Sequence, residues 1–159
     1  PFPFVPQDTE EQLKEKQQHL LHSVHSKKIH VNYHDSSISF LEAVFAKGDR
    51  RLGRVLETAY RKGCFFDGWD ECFHYDRWME AFAECGLDTA FYANRFIGLD
   101  EVTPWSHMDY GVSHDFLVRE YQKAMAAQTT PPCNRKCSAC GANKFVGGAC
   151  FDYSKDLVH

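Results

Sequence analysis

Ser39 to Gly63, SFLEAVFAKGDRRLGRVLETAYRKG, is the stretch that decides the fold. It reads as two helices in succession, SFLEAVFAKG and RRLGRVLETAYRKG. Gly48 and Gly63 are stop signals for the two helices. Asp49 is a candidate N-cap for the second, and Ser37 or Ser39 for the first.

Working outward, the same pattern extends both ways. Thr9, with Gln12 three residues on, reads as a capping box opening a helix to about His25. Asp76 opens RWMEAFAECG, which Gly86 ends; Asp88 opens TAFYANR; Ser113 caps a helix running to about Ala127, stopped by Thr129-Thr130-Pro131-Pro132. Lys28 to Tyr33, KIHVNY, alternates polar and β-branched or aromatic residues and is expected to be a strand. Cys64 to Trp69 is a turn, with Trp69 expected to anchor it. The fold class expected is α+β, mainly α-helical, ending in an irregular, Cys-rich tail. A single strand forms no sheet alone, so this part is expected to have paired with chain outside these residues.

The chain has 159 residues, with 43% hydrophobic and 14% aromatic content, enough for a packed core. It opens on Pro1 without a basic region leading into an apolar run, and is expected to be a piece of a longer protein. No apolar run reaches the roughly 20 residues that span a bilayer, so no membrane association is expected. Net charge is −4, which argues against phosphate-driven nucleic-acid binding by these residues alone. The basic runs at Lys27-Lys28, Lys47 to Arg54 and Arg61-Lys62 read as solvated faces. Phosphate-loop, nucleophile-elbow and zinc-protease signatures are missing from the sequence, so hydrolase and nucleotide-triphosphatase chemistry has no support.

Seven cysteines in such a chain are many. Cys133, Cys137 and Cys140 stand at C-x3-C-x2-C spacing in CNRKCSAC, and Cys150 follows ten residues after Cys140. Thiolates are soft ligands for zinc or iron–sulfur centres, and short spacers let a chain wrap one centre. Gly141, Gly147 and Gly148 permit tight turns, and Arg135, Lys136 and Lys144 offset thiolate charge. Metal or cluster ligation by Cys133, Cys137, Cys140 and Cys150 is therefore expected, in a reducing, cytoplasmic setting. Cys85 is expected to pack in the core. Cys64 and Cys72 flank the aromatic turn. His19, His22 and His25 read as a solvated helix face. PWSHMDYGVSH carries Trp105, His107, Asp109 and His114, a loop suited to a ligand pocket or to support of a metal. His34 and Asp35 follow the expected strand, the end that lines the pocket in α/β barrels.

Several strings together carry a resemblance: PQDTEEQLKEKQ from Pro6, HDSSISFLEAVFAKGDRRLG from His34, AYRKGCFFDGWDE from Ala59, PWSHMDYGVSHDFLVREYQKA from Pro104 and TTPPCNRKCSACG from Thr129. The chain resembles the carboxy-terminal part of a bacterial family of radical-SAM iron–sulfur proteins that carry a cobalamin-binding-like domain upstream. The resemblance implies that residues 1–35 finish a (β/α) barrel, 36–128 form a helical extension and 129–159 a cysteine-rich metal or cluster tail. It also implies that S-adenosylmethionine and the catalytic 4Fe-4S cluster belong to the parent's barrel, the rest of which would be this fragment's partner. The C-x3-C-x2-C spacing matches the cofactor-binding motif of that superfamily. Here, however, only 19 residues follow Cys140 and Ala139 stands where an aromatic residue is common. The tail is thus expected to hold an auxiliary 4Fe-4S cluster or zinc rather than the catalytic centre. The rival reading is a zinc-stabilised helical module that binds a protein or RNA.

Overall fold

A computed structural model describes residues 3–145, 147 and 150. It is mainly helical, with six α-helices and no strand among the described residues. They are α1 (Glu10–Ser23), α2 (Ser36–Ala46), α3 (Leu52–Arg61), α4 (Tyr75–Glu84), α5 (Thr89–Ala93) and α6 (His114–Met125). No helix among these residues is long and apolar enough to cross a membrane. The chain forms two compact units, one from Val5 to Ile97 and one combining Pro1–Phe4 with Gly98–His159.

In the first unit α3 packs on α4, α2 on α5 and α1 on α2. One face of each helix supplies the core: Phe40, Leu41 and Val44 from α2, Leu52, Val55 and Ala59 from α3, and Trp78, Ala81 and Phe82 from α4. Phe45 sets its ring edge-on to Trp78 at 5.5 Å. The segment before α1 is tied down by backbone: Gln7 N–H donates to the Ala93 carbonyl at 2.8 Å, and Asn94 Nδ2 donates to the Gln7 carbonyl at 2.9 Å. Cys64 is buried in this core and Cys85 packs against it.

Several local expectations hold. Thr9 and Gln12 form the capping box of α1, and Asp88 caps α5. Others are corrected. The strand expected at Lys28–Tyr33 is irregular chain, with Ile29 59% and Tyr33 57% exposed. Alternation is only half of a strand; the other half is a ladder partner, and the described residues offer none. The barrel remnant at the amino end therefore has no support in the fold. Asp35, not Ser37 or Ser39, caps α2, accepting from Ser37 N–H at 2.8 Å and Ile38 N–H at 3.3 Å. Asp49 lies ahead of α3, whose N-cap is Arg51 and has no side-chain cap, and α4 begins at Tyr75 behind an uncapped His74. Trp69, expected as an anchor, is 64% exposed.

The second unit is built on α6. Ser113 caps it as expected, accepting from Phe116 N–H at 3.2 Å. Phe4 is buried here, with ring contacts to His114 at 5.9 Å and Tyr121 at 5.6 Å. The helix stops before the prolines: Ala127 adopts φ +53°, and Gln128 N–H reaches back to the Lys123 carbonyl at 2.8 Å. This is a left-handed helix stop made by alanine instead of glycine.

The core predicts its own sensitivity. Phe82→Ala removes a ring that is 2% exposed and should destabilise the first unit by about 3–5 kcal/mol. Leu20→Ala, on the exposed side of α1, should cost no more than about 0.5 kcal/mol. Urea denaturation followed by circular dichroism measures both.

Candidate functional site

The tail after α6 folds back along that helix. Near its end, Lys123 Nζ bonds Thr130 Oγ1 at 3.0 Å and Glu120 at 2.8 Å. One turn earlier, Arg119 donates to the Ala139 carbonyl at 3.2 Å and the Ser138 carbonyl at 3.5 Å. At the start of the helix, Ser113 N–H donates to the Cys140 carbonyl at 2.8 Å. Thr130, Ala139 and Cys140 thus meet Lys123, Arg119 and Ser113 in antiparallel order.

The last of these contacts brings two backbones close together. Gly141 has φ +99°, and a Cβ there would lie 2.8 Å from the Gly111 carbonyl oxygen and 3.4 Å from Ser113 N. Gly111 has φ +94°, and a Cβ there would sit 2.6 Å from the Phe145 ring. Glycine is required at Gly141 both by its backbone angle and by the backbone in its way. Lys144 then clasps Asp109, at 2.6 Å to Oδ1 and with a second bond to Oδ2. Asp109 Oδ1 also accepts from Gly111 N–H at 3.0 Å. The Lys144 hydrogen bond first, and the Gly111 N–H second, hold the Asp109 carboxyl below its ordinary pKa.

Beside this clasp lies a groove of about 400 Å³ lined in part by Trp105, His107, Tyr110, His114 and Lys144. Of the pocket residues expected from sequence, Trp105, His107 and Asp109 line it together. His114 Nε2–H donates to the Leu99 carbonyl at 2.7 Å, which fixes its ring. His34 and Asp35 lie in the first unit. Burial opposes ionisation of Asp35, but the Ser37 and Ile38 N–H groups outweigh it and its pKa falls, the behaviour of a helix cap. The sequence missed Lys144 and Tyr110 as groove residues. Locally Lys144 reads only as an offset for thiolate charge, because nothing near it announces its partner 35 positions away.

Cys140 is half-buried, while Cys133, Cys137 and Cys150 are exposed. Pro132 starts a turn in which Arg135 N–H bonds its carbonyl at 2.9 Å, and Ala139 takes φ +53°. Among the described residues no three His, Cys, Asp or Glu side chains gather to hold a metal ion. Gly147 has φ +67° as a turn residue, and Gly148 falls outside the described residues. Burial, and then the Asp67 charge, push the Cys64 thiol up, as expected of a core thiol. His19, His22 and His25 are exposed; His22 Nδ1–H bonds the Gln18 carbonyl at 2.8 Å.

Comparison with protein-family models, curated proteins and solved structures yields no match.

Gly141→Ala should break the Ser113 to Cys140 hydrogen bond, since its Cβ meets backbone rather than a movable side chain. Amide exchange at Ser113 should then speed up by about tenfold or more. Gly86→Ala is the control: it also has positive φ, +65°, but nothing lies within 4 Å of its Cβ. It should leave Ser113 exchange unchanged.

Proposed function

We propose that this chain is an accessory carboxy-terminal region of a radical-SAM enzyme, whose cysteine tail holds an auxiliary iron–sulfur cluster or zinc. The observation that carries the reading is the C-x3-C-x2-C run of Cys133, Cys137 and Cys140 on a tail pinned to α6 at both ends of that run. Metal binding to thiolates is coupled to folding, because the unfolded chain rarely holds a preformed site. In this reading the Cys140 backbone is the fixed point, and the exposed Cys133 and Cys137 close toward it when the centre binds. Cys150 is the candidate fourth ligand. An iron–sulfur centre would supply electron transfer or an iron site for substrate, whereas zinc would supply a crosslink. The chain's own residues do the rest: Ser113, Arg119 and Lys123 hold the tail, and Arg135 and Lys136 offset thiolate charge. S-adenosylmethionine cleavage belongs to the parent's barrel in this reading, so the chain alone should not perform it.

One observation favours a second reading, a zinc-stabilised helical module that binds a protein or RNA. Tyr60, Phe65, Phe66 and Trp69 are all exposed, with rings of Tyr60 and Phe65 6.1 Å apart and those of Phe65 and Phe66 5.8 Å apart. Exposed aromatic groups of this kind suit a docking surface.

Anaerobic reconstitution with iron and sulfide, or with zinc, followed by elemental analysis, tests the first reading. One centre per chain is expected, lost in Cys133→Ala, Cys137→Ala and Cys140→Ala and kept in Cys85→Ala. Metal content unaffected by all three tail substitutions would overturn it.

A further inference from the structure

The groove beside the Asp109–Lys144 clasp has a charge pattern that narrows what it can bind. Lys144 and Asp109 are its one ammonium and one carboxylate among the described residues. They are hydrogen-bonded to each other and both remain well exposed, at 48% and 63% of their side chains. Exposed ion pairs of this kind open at little free-energy cost. When Lys144 swings away, Asp109 keeps its bond from Gly111 N–H and stays in place. A simple anion entering to meet Lys144 would face the Asp109 carboxylate. A simple cation entering to meet Asp109 would face the Lys144 ammonium. A ligand carrying both charges replaces the internal pair with two new pairs and leaves neither partner uncompensated. The remaining walls are half apolar, with the Trp105 and Tyr110 rings available for a flat or bulky group.

We propose that this groove binds a zwitterionic α-amino acid with a large apolar side chain, its ammonium on Asp109 and its carboxylate on Lys144, with the side chain against Trp105 and Tyr110. The assignment goes beyond the thiol-centre reading and does not depend on it, since it uses no cysteine. The occupant is a free amino acid.

The test is a titration of the full, isotopically labelled chain followed by amide and indole resonances. Three probes share one phenyl group: L-phenylalanine, phenethylamine, which has only the cation, and 3-phenylpropanoate, which has only the anion. L-Phenylalanine should give saturable shifts at the Asp109 and Gly111 amides and the Trp105 indole, with a dissociation constant of about 1 mM, as suits a small ligand in an open groove. Each singly charged analogue should bind at least about tenfold more weakly. These measurements need no variant, so misfolding cannot imitate the result. In Asp109→Asn, L-phenylalanine should fall to the affinity of 3-phenylpropanoate; in Lys144→Met it should fall to that of phenethylamine. Lack of saturation with L-phenylalanine would overturn the proposal, and so would an analogue that binds the unaltered chain as tightly.

Discussion

The hydrogen bond from Ser113 N–H to the Cys140 carbonyl is the contact around which the second unit is organised. Ser113 does two tasks with two groups. Its hydroxyl accepts from Phe116 N–H and starts α6; its own N–H, which the helix cannot use, holds the tail. The start of α6, the loop carrying Trp105, His107 and Asp109, and the last cysteine of the C-x3-C-x2-C run are therefore fixed at one point. The close approach that makes this bond possible leaves no room for a side chain at Gly141. The exposed Asp109–Lys144 ion pair joins the loop and the tail a second time.

This arrangement gives the cysteines unequal status. Cys140 is half-buried and its backbone is held, while Cys133 and Cys137 are exposed on chain that touches α6 through Arg119 and Lys123. Between those contacts the tail folds on itself, with Arg135 N–H donating to the Pro132 carbonyl at 2.9 Å. Its basic residues are suited to a thiolate site, because several thiolates gathered together repel one another unless cations lie near.

Legibility from sequence followed the range of the interactions. Caps at Thr9, Asp88 and Ser113 were readable because each joins a side chain to an N–H two or three residues away. α2 and α3 were readable as helices from their stop glycines, Gly48 and Gly63, whereas the faces they bury are set by packing between helices and not by the local pattern. The strand at Lys28–Tyr33 was not, because a strand exists only with a partner and the pattern cannot supply one. Asp35 was hard to pick as a cap beside the three serines in HDSSIS, although one carboxylate oxygen serves two N–H groups there. At the candidate site, Trp105, His107 and Asp109 were legible as a chemically rich run. Their closure by Lys144, and the meeting of Gly111 with Gly141, are long-range events that no local signal encodes.

X-ray absorption at the metal edge of the anaerobically reconstituted chain tests the central claim, that the tail thiols converge on one centre, most directly. The account predicts a first shell made of sulfur at about 2.3 Å, as thiolate-bound zinc or a cluster iron requires. A first shell of nitrogen and oxygen, with sulfur missing, would contradict it.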